Sequence, residues 1–218
     1  MFTYFKNASI RKLVIGFGSL FKNVHIIQKE KDGSDRNTLV PLTYAPKEKY
    51  IKRLTLPSSI SDQTRVELNN PQLSFELTNI QYDPIRHMHK LHKKHALTGL
   101  TMSYMEVPYN FTFNLHSYTR NIDENLEIME QILPYFSPEF IISINFTELH
   151  TKVDVPISLM QTNLTQDYEG DFNTRRLIIS SYQFVAKSYV YGKVGNYVPI
   201  TDYGLNYDIN GITFSVEG

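Results

Sequence analysis

In the stretch EQILPYFSPEF, residues 130–140, a helical pattern runs into Pro134, continues through Tyr135 and Phe136, meets Pro138 and gives way to an apolar run. Upstream, Ile122, Leu126, Met129, Ile132, Leu133 and Phe136 recur at three- and four-residue intervals, the stripe of a helix that buries one side. Asn121 followed by Glu124 resembles a capping box at its start. Pro134 lacks an amide donor and crowds the preceding turn, so the helix either stops after Leu133 or kinks through one last turn. Beyond Pro138, FIISINF reads as a strand. Tyr135 and Phe136 read as core. A stiff corner therefore turns the chain from a helix back into a sheet.

The same alternation of period two appears on both sides. In YNFTFNLHS, Tyr109, Phe111, Phe113 and Leu115 face one way while Asn110, Thr112, Asn114 and His116 face the other, so one face is core and the other is wet or covered by a partner. QLSFELTN alternates Leu73, Phe75 and Leu77. The run from Arg176 to about Tyr191 sets Tyr182, Phe184 and Ala186 against Gln183, Val185 and Lys187. VDVPISLM is a further strand, and Pro156 places it at an edge or a bulge. Two strands around KDGSD form a hairpin between residues 23 and 45.

Helices are expected over residues 8–21, with Asn7 or Ser9 as the cap, and over PKEKYIKRL from Pro46. The last twenty residues read as loop plus one strand at GITFSV. Hairpins and helices without a repeated βαβ rhythm give an α+β fold, a mostly antiparallel β-sheet flanked by a few helices, as a single domain over residues 1–218.

Composition narrows the function. With 41% hydrophobic residues, 15 Tyr and 13 Phe, the chain can build a sizeable core. Its 22 basic residues balance 22 acidic ones, so no net field draws it onto nucleic acid or an anionic membrane. The absence of cysteine excludes a disulfide framework, a thiolate zinc site and a cysteine nucleophile, and fits assembly in a cytosolic environment. The opening MFTYFKNASIRKLVIGFGSLF lacks the pattern of a secretory signal, and no segment approaches the roughly twenty apolar residues of a membrane span. Asn7, Asn110, Asn145 and Asn163 stand in glycosylation triplets, which in this context read as chance.

The histidine-rich segment RHMHKLHKKH holds His87, His89, His92 and His95 among Arg86, Lys90, Lys93 and Lys94. On a helix three of the imidazoles align. Zinc is opposed by the neighbouring lysines, which leaves a local contact to DNA or an acidic partner, or a solvated surface. GFGSL sits in a helical pattern and reads as close packing. The paired Arg175 and Arg176 at a strand entry suit an acidic partner or a solvated strand end. No hydrolase, zincin or phosphate-loop motif is present, so no enzyme, metal or cofactor is expected.

Three blocks carry a family resemblance. The first matches in Met1, Phe2, Tyr4, Phe5, Asn7, Ser9 and Arg11, continuing through Gly18, Leu20, Phe21, Asn23 and Ile26. The second is VPLTYAPKE, with Val40, Pro41, Thr43, Tyr44, Ala45, Lys47 and Glu48. The third is the opening stretch led in by Thr119 and Arg120, with a weaker echo at Arg175 and Arg176. In these the chain resembles the tail sheath stabilisers, or tail terminators, of contractile-tailed bacteriophages. The histidine-rich segment is particular to this sequence, and the Pro-rich C-terminal tail of some relatives has no counterpart.

The resemblance implies a virion protein, assembled in the host cytoplasm, that forms a ring, a hexamer, at the head-proximal end of the tail. Its implied partners are further copies of itself, the tail sheath protein, the tail tube or tail completion protein and the neck or head-completion proteins. DNA would pass through the channel without specific binding, and no membrane is involved. Candidate interface residues are Phe2, Tyr4, Phe5, Arg11, Tyr44, Lys47, Glu48, Arg120, Arg175 and Arg176, with Arg86, Lys90, Lys93 and Lys94 as the possible DNA or acidic-partner contact. The alternatives are another head–tail connector or tail completion role, and a DNA- or metal-binding module centred on the histidines.

Overall fold

The protein is described by a computed structural model at residues 4–29, 35–49, 71–89, 92–95, 101–146, 152–167, 177–196, 204–209 and 212–217. The strands are β1 (His25–Lys29), β2 (Asp35–Leu39), β3 (Leu42–Tyr44), β4 (Gln72–Tyr82), β5 (Lys93–His95), β6 (Thr101–Tyr104), β7 (Val107–Thr119), β8 (Glu139–Ile144), β9 (Val153–Asp167), β10 (Leu177–Val190), β11 (Val194–Asn196), β12 (Gly204–Ile209) and β13 (Ile212–Glu217). Helix α1 spans Ser9–Leu20 and α2 spans Ile122–Ile132.

The fold is α+β. A six-stranded sheet runs in the order β3-β4-β7-β10-β9-β8, antiparallel except for the parallel β3–β4 pair. The alternation of β7 holds: Phe111, Phe113 and Leu115 are buried, aligned with Ala186, Phe184 and Tyr182 of β10. Phe17 of α1 stacks on Phe113 with centroids 4.3 Å apart and touches Phe75 and Phe184, which fixes the helix over the middle of the sheet. The glycines of GFGSL make this approach possible. A Cβ on Gly18 would lie 2.7 Å from the Phe75 ring, and one on Gly16 would lie 2.9 Å from Ile144.

The corner at 130–140 resolves as an α-helix ending at Ile132, then one 3-10 turn over Leu133–Tyr135. The peptide before Pro138 is cis. Phe136 packs against Phe21, Phe140 and Phe184 as expected. Tyr135, at the end of the 3-10 turn, does not: it is 66% exposed, with its ring edge toward Phe140.

Other local expectations also change. Neither Asn7 nor Ser9 caps α1. Its cap is Ala8, in the left-handed region at φ 52°, while Asn7 donates to the carbonyls of Tyr191 and Gly192. Asn121 does begin α2, but no capping bond forms there, and Glu124 instead accepts from Gln28. β9 is not an edge strand, and the bulge it carries against β10 falls at Met160, between Gln161 and Leu159, not at Pro156. Pro156 is tolerated because it lies one residue past the last β9–β10 pair, Ile157 with Ala186. The C-terminal region holds a hairpin, β12 with β13, rather than one strand. Of the helix expected from Pro46, Lys47–Lys49 are helical and the remainder lies outside the described residues.

Candidate assembly interface

The two faces of the large sheet differ in chemistry. Away from the helices, β7, β9 and β10 present Asn114, Gln161, Asn163, Ser181 and Gln183, which border a shallow polar depression. Gln161 donates to Asn163 at 2.9 Å. At one end of this face His116 is buried, bonded through Nδ1 to the Ser181 hydroxyl at 2.9 Å, with Nε2 4.0 Å from Glu76. Burial pushes its pKa down to about 4, Lys47 adds to the depression and Glu48 opposes it. Burial and then Glu48 raise that of Glu76.

The strand edges also differ. Three side chains of α2 reach the backbone or side chains of β1: Gln131 exchanges bonds with His25 N–H and C=O, Glu127 accepts from Ile27 N–H at 3.1 Å, and Glu124 accepts from Gln28. A helix thus occupies hydrogen-bonding positions that a neighbouring strand would otherwise take. By contrast, β8 has no partner on its outer side among the described residues. Its six residues include no proline or lysine, Glu139 at its start is the one charge, and Ile141 is 57% exposed, so from Phe140 to Ile144 no charge or proline blunts the edge.

The structure places the expected contact residues as follows. Tyr4 and Phe5 precede α1, 89% and 49% exposed; Arg11 and Arg120 are exposed; Tyr44 is exposed on one side with its ring against Phe75. Lys47 and Glu48 lie close enough to act on His116, so this part of VPLTYAPKE borders the polar face. Phe2, Arg175, Arg176 and Lys90 lie outside the described residues.

The histidine-rich segment is not a helix over its described part; it is a turn and the short strand β5. No metal-holding cluster occurs among the described residues. Two of its bases are tied inward. Arg86 pairs with Asp83 at 2.7 Å, donates to Asn110 and lies over the Tyr189 ring, and its hydrogen bond lowers the Asp83 pKa. Lys94 pairs with the buried Glu106, while Lys93 lies over the Tyr104 ring. The edge of β8, the β1 clamp and the depression residues on β9 were not singled out from sequence. The spacing of Glu124, Glu127 and Gln131 on one helix side was the legible signal for the clamp.

This mixed sheet, with its exposed aromatic arm and open edge, has the features of an assembly subunit, and sequence comparison supplies the class. The chain belongs to the T4-like Myoviridae tail sheath stabiliser family, whose model matches residues 4–214. It is 31% identical over 209 residues to the tail completion protein gp15 of Enterobacteria phage T4, a match covering 89% of this chain and 74% of that relative. The chain is a structural protein of the virion tail.

Proposed function

We propose that copies of this chain, each a single domain, close into a hexameric ring at the head-proximal end of a contractile tail. The ring ends growth of the tube and sheath, holds the last sheath ring and offers the platform for head attachment, without catalysing a reaction. The observation that carries this reading is the outer edge of β8, unpaired among the described residues and suited to an added strand from a neighbouring subunit or the sheath. A balanced net charge supports passage of DNA through the ring without retention.

Electron microscopy of tails made with and without the chain tests the proposal. The expected result is a collar at the head-proximal end, with overlong or unstable tubes and sheaths when it is missing. Normal tails without the chain would refute it.

The histidine module is the weaker reading, since Arg86 and Lys94 are already paired within the fold. A tail completion role at another level of the tail is favoured only by the name of the phage T4 relative. Imaging separates it by where the collar sits.

A further inference from the structure

We infer that the N-terminal arm of one copy, through Tyr4 and Phe5, seats in an aromatic groove at the opposite end of α1 on the next copy. The inference rests on the ring reading above and identifies a contact by which the ring closes.

The arm is fixed at its base. Asn7 donates to the carbonyls of Tyr191 and Gly192 at 3.0 and 2.6 Å, and Ala8 turns the chain into α1. Ahead of this anchor Tyr4 is 89% exposed and Phe5 49% exposed. Two adjacent aromatic side chains left in water on a pinned segment lack the burial that such residues gain in a core or an interface.

The groove lies where the C-terminal end of α1, the 3-10 turn and the start of β8 meet. It is lined by Leu20, Phe21, Gln131, Tyr135, Phe136 and Phe140, among others. Tyr135 and Phe136 sit edge-on or tilted to Phe140 at centroid distances of 6.4 and 6.1 Å, which leaves ring edges and faces for a further aromatic side chain. The charges agree as well. Lys6 on the arm is exposed, and so are Glu130 and Glu139, each adjacent in sequence to a residue that lines the groove.

The arm does not fill the groove of its own chain, since Tyr4 is 89% exposed and Tyr135 at the groove is 66% exposed. The 12 residues of α1 rise by about 18 Å between the two sites. Tyr4 lies three residues from the Asn7 anchor, a reach of about 10 Å even when extended. The contact therefore joins two copies through unlike surfaces. Repetition of such a contact generates a ring when its rotation closes.

The chain contains no cysteine, so an introduced pair of thiols reports the contact without background. Tyr4→Cys with Tyr135→Cys changes two exposed side chains and keeps Phe5 and the groove floor. Lys6→Cys with Leu133→Cys is an independent pair should the first disturb folding. With either double variant supplied during tail assembly and then oxidised, the expected result is a ladder of covalent multiples of the 25.4 kDa chain on a denaturing gel. A mixture of the two single variants should stop at a dimer. Phe5→Ser should weaken self-association by roughly tenfold or more.

A collar that forms normally but stays monomeric after oxidation overturns the inference and spares the ring. So does a disulfide closed within one chain, or a covalent band joining this chain to a different tail protein. Tails on which even the wild-type chain forms no collar overturn both readings.

Discussion

The two faces of the large sheet are made from the same strands yet solve different problems. On the helix side, Phe17, Phe75, Phe113 and Phe184 meet ring to ring and leave no room even for a Cβ on Gly18. On the other side, amides and hydroxyls lie open around one buried imidazole. One face holds the subunit together. The other is open to contacts around Asn114, Gln161, Asn163, Ser181 and Gln183, whereas at the His116 end Ser74, Tyr118 and Ile179 are buried.

That division can be broken most severely at its centre. Phe113→Ala removes the ring stacked on Phe17 and should cost about 3–5 kcal/mol in urea unfolding. Gln183→Ala, on the exposed face, should stay within about 0.5 kcal/mol. Equal losses at both positions would erase the distinction.

His116 gives the polar face its own signature. An unfolded histidine titrates near 6.5, whereas this one is held to about 4, so between those values the unfolded chain binds a proton that the folded chain refuses. The resulting stability is fully present above about pH 6.5 and declines as pH falls toward 4, by about 3 kcal/mol in total. The raised pKa of Glu76 works in the opposite sense and trims this slope. His116→Gln should flatten the urea midpoint across that window; an unchanged slope would assign it to other groups.

Smaller effects sharpen the picture. Gly18→Ala should cost about 1–3 kcal/mol as the Phe75 ring is forced aside. Ala8→Gly should raise stability by up to about 1 kcal/mol, since glycine adopts a φ of 52° without a Cβ clash. A thermal melt resolves both.

Both faces were legible in the letters of residues 109–116 and 182–187, because a period of two is a local property that survives into any sheet. The packing role of Gly16 and Gly18 was legible because they interrupt a helical apolar pattern, where a missing side chain lets a neighbour approach. What the sequence concealed depends on distant partners. Asn7 gives its side chain to carbonyls 184 and 185 positions away, so it does not cap the neighbouring helix. Tyr135, read as core, lies in the 3-10 turn after Ile132 and is exposed, as are Leu126 and Leu133 of the expected stripe. The β12–β13 hairpin was a missed local signal, since Asn210–Gly211 stands between two runs of alternating residues. Among the site features, the exposed arm was singled out, whereas the edge status of β8 follows from strand order alone.

The outer side of β8, unpaired among the described residues, has a cost during biosynthesis. Until something covers it, each newly made subunit offers a template on which any extended chain can deposit, including a misfolded sibling. Output of this protein should therefore be matched to that of the tails it completes, and surplus copies are the ones expected to precipitate.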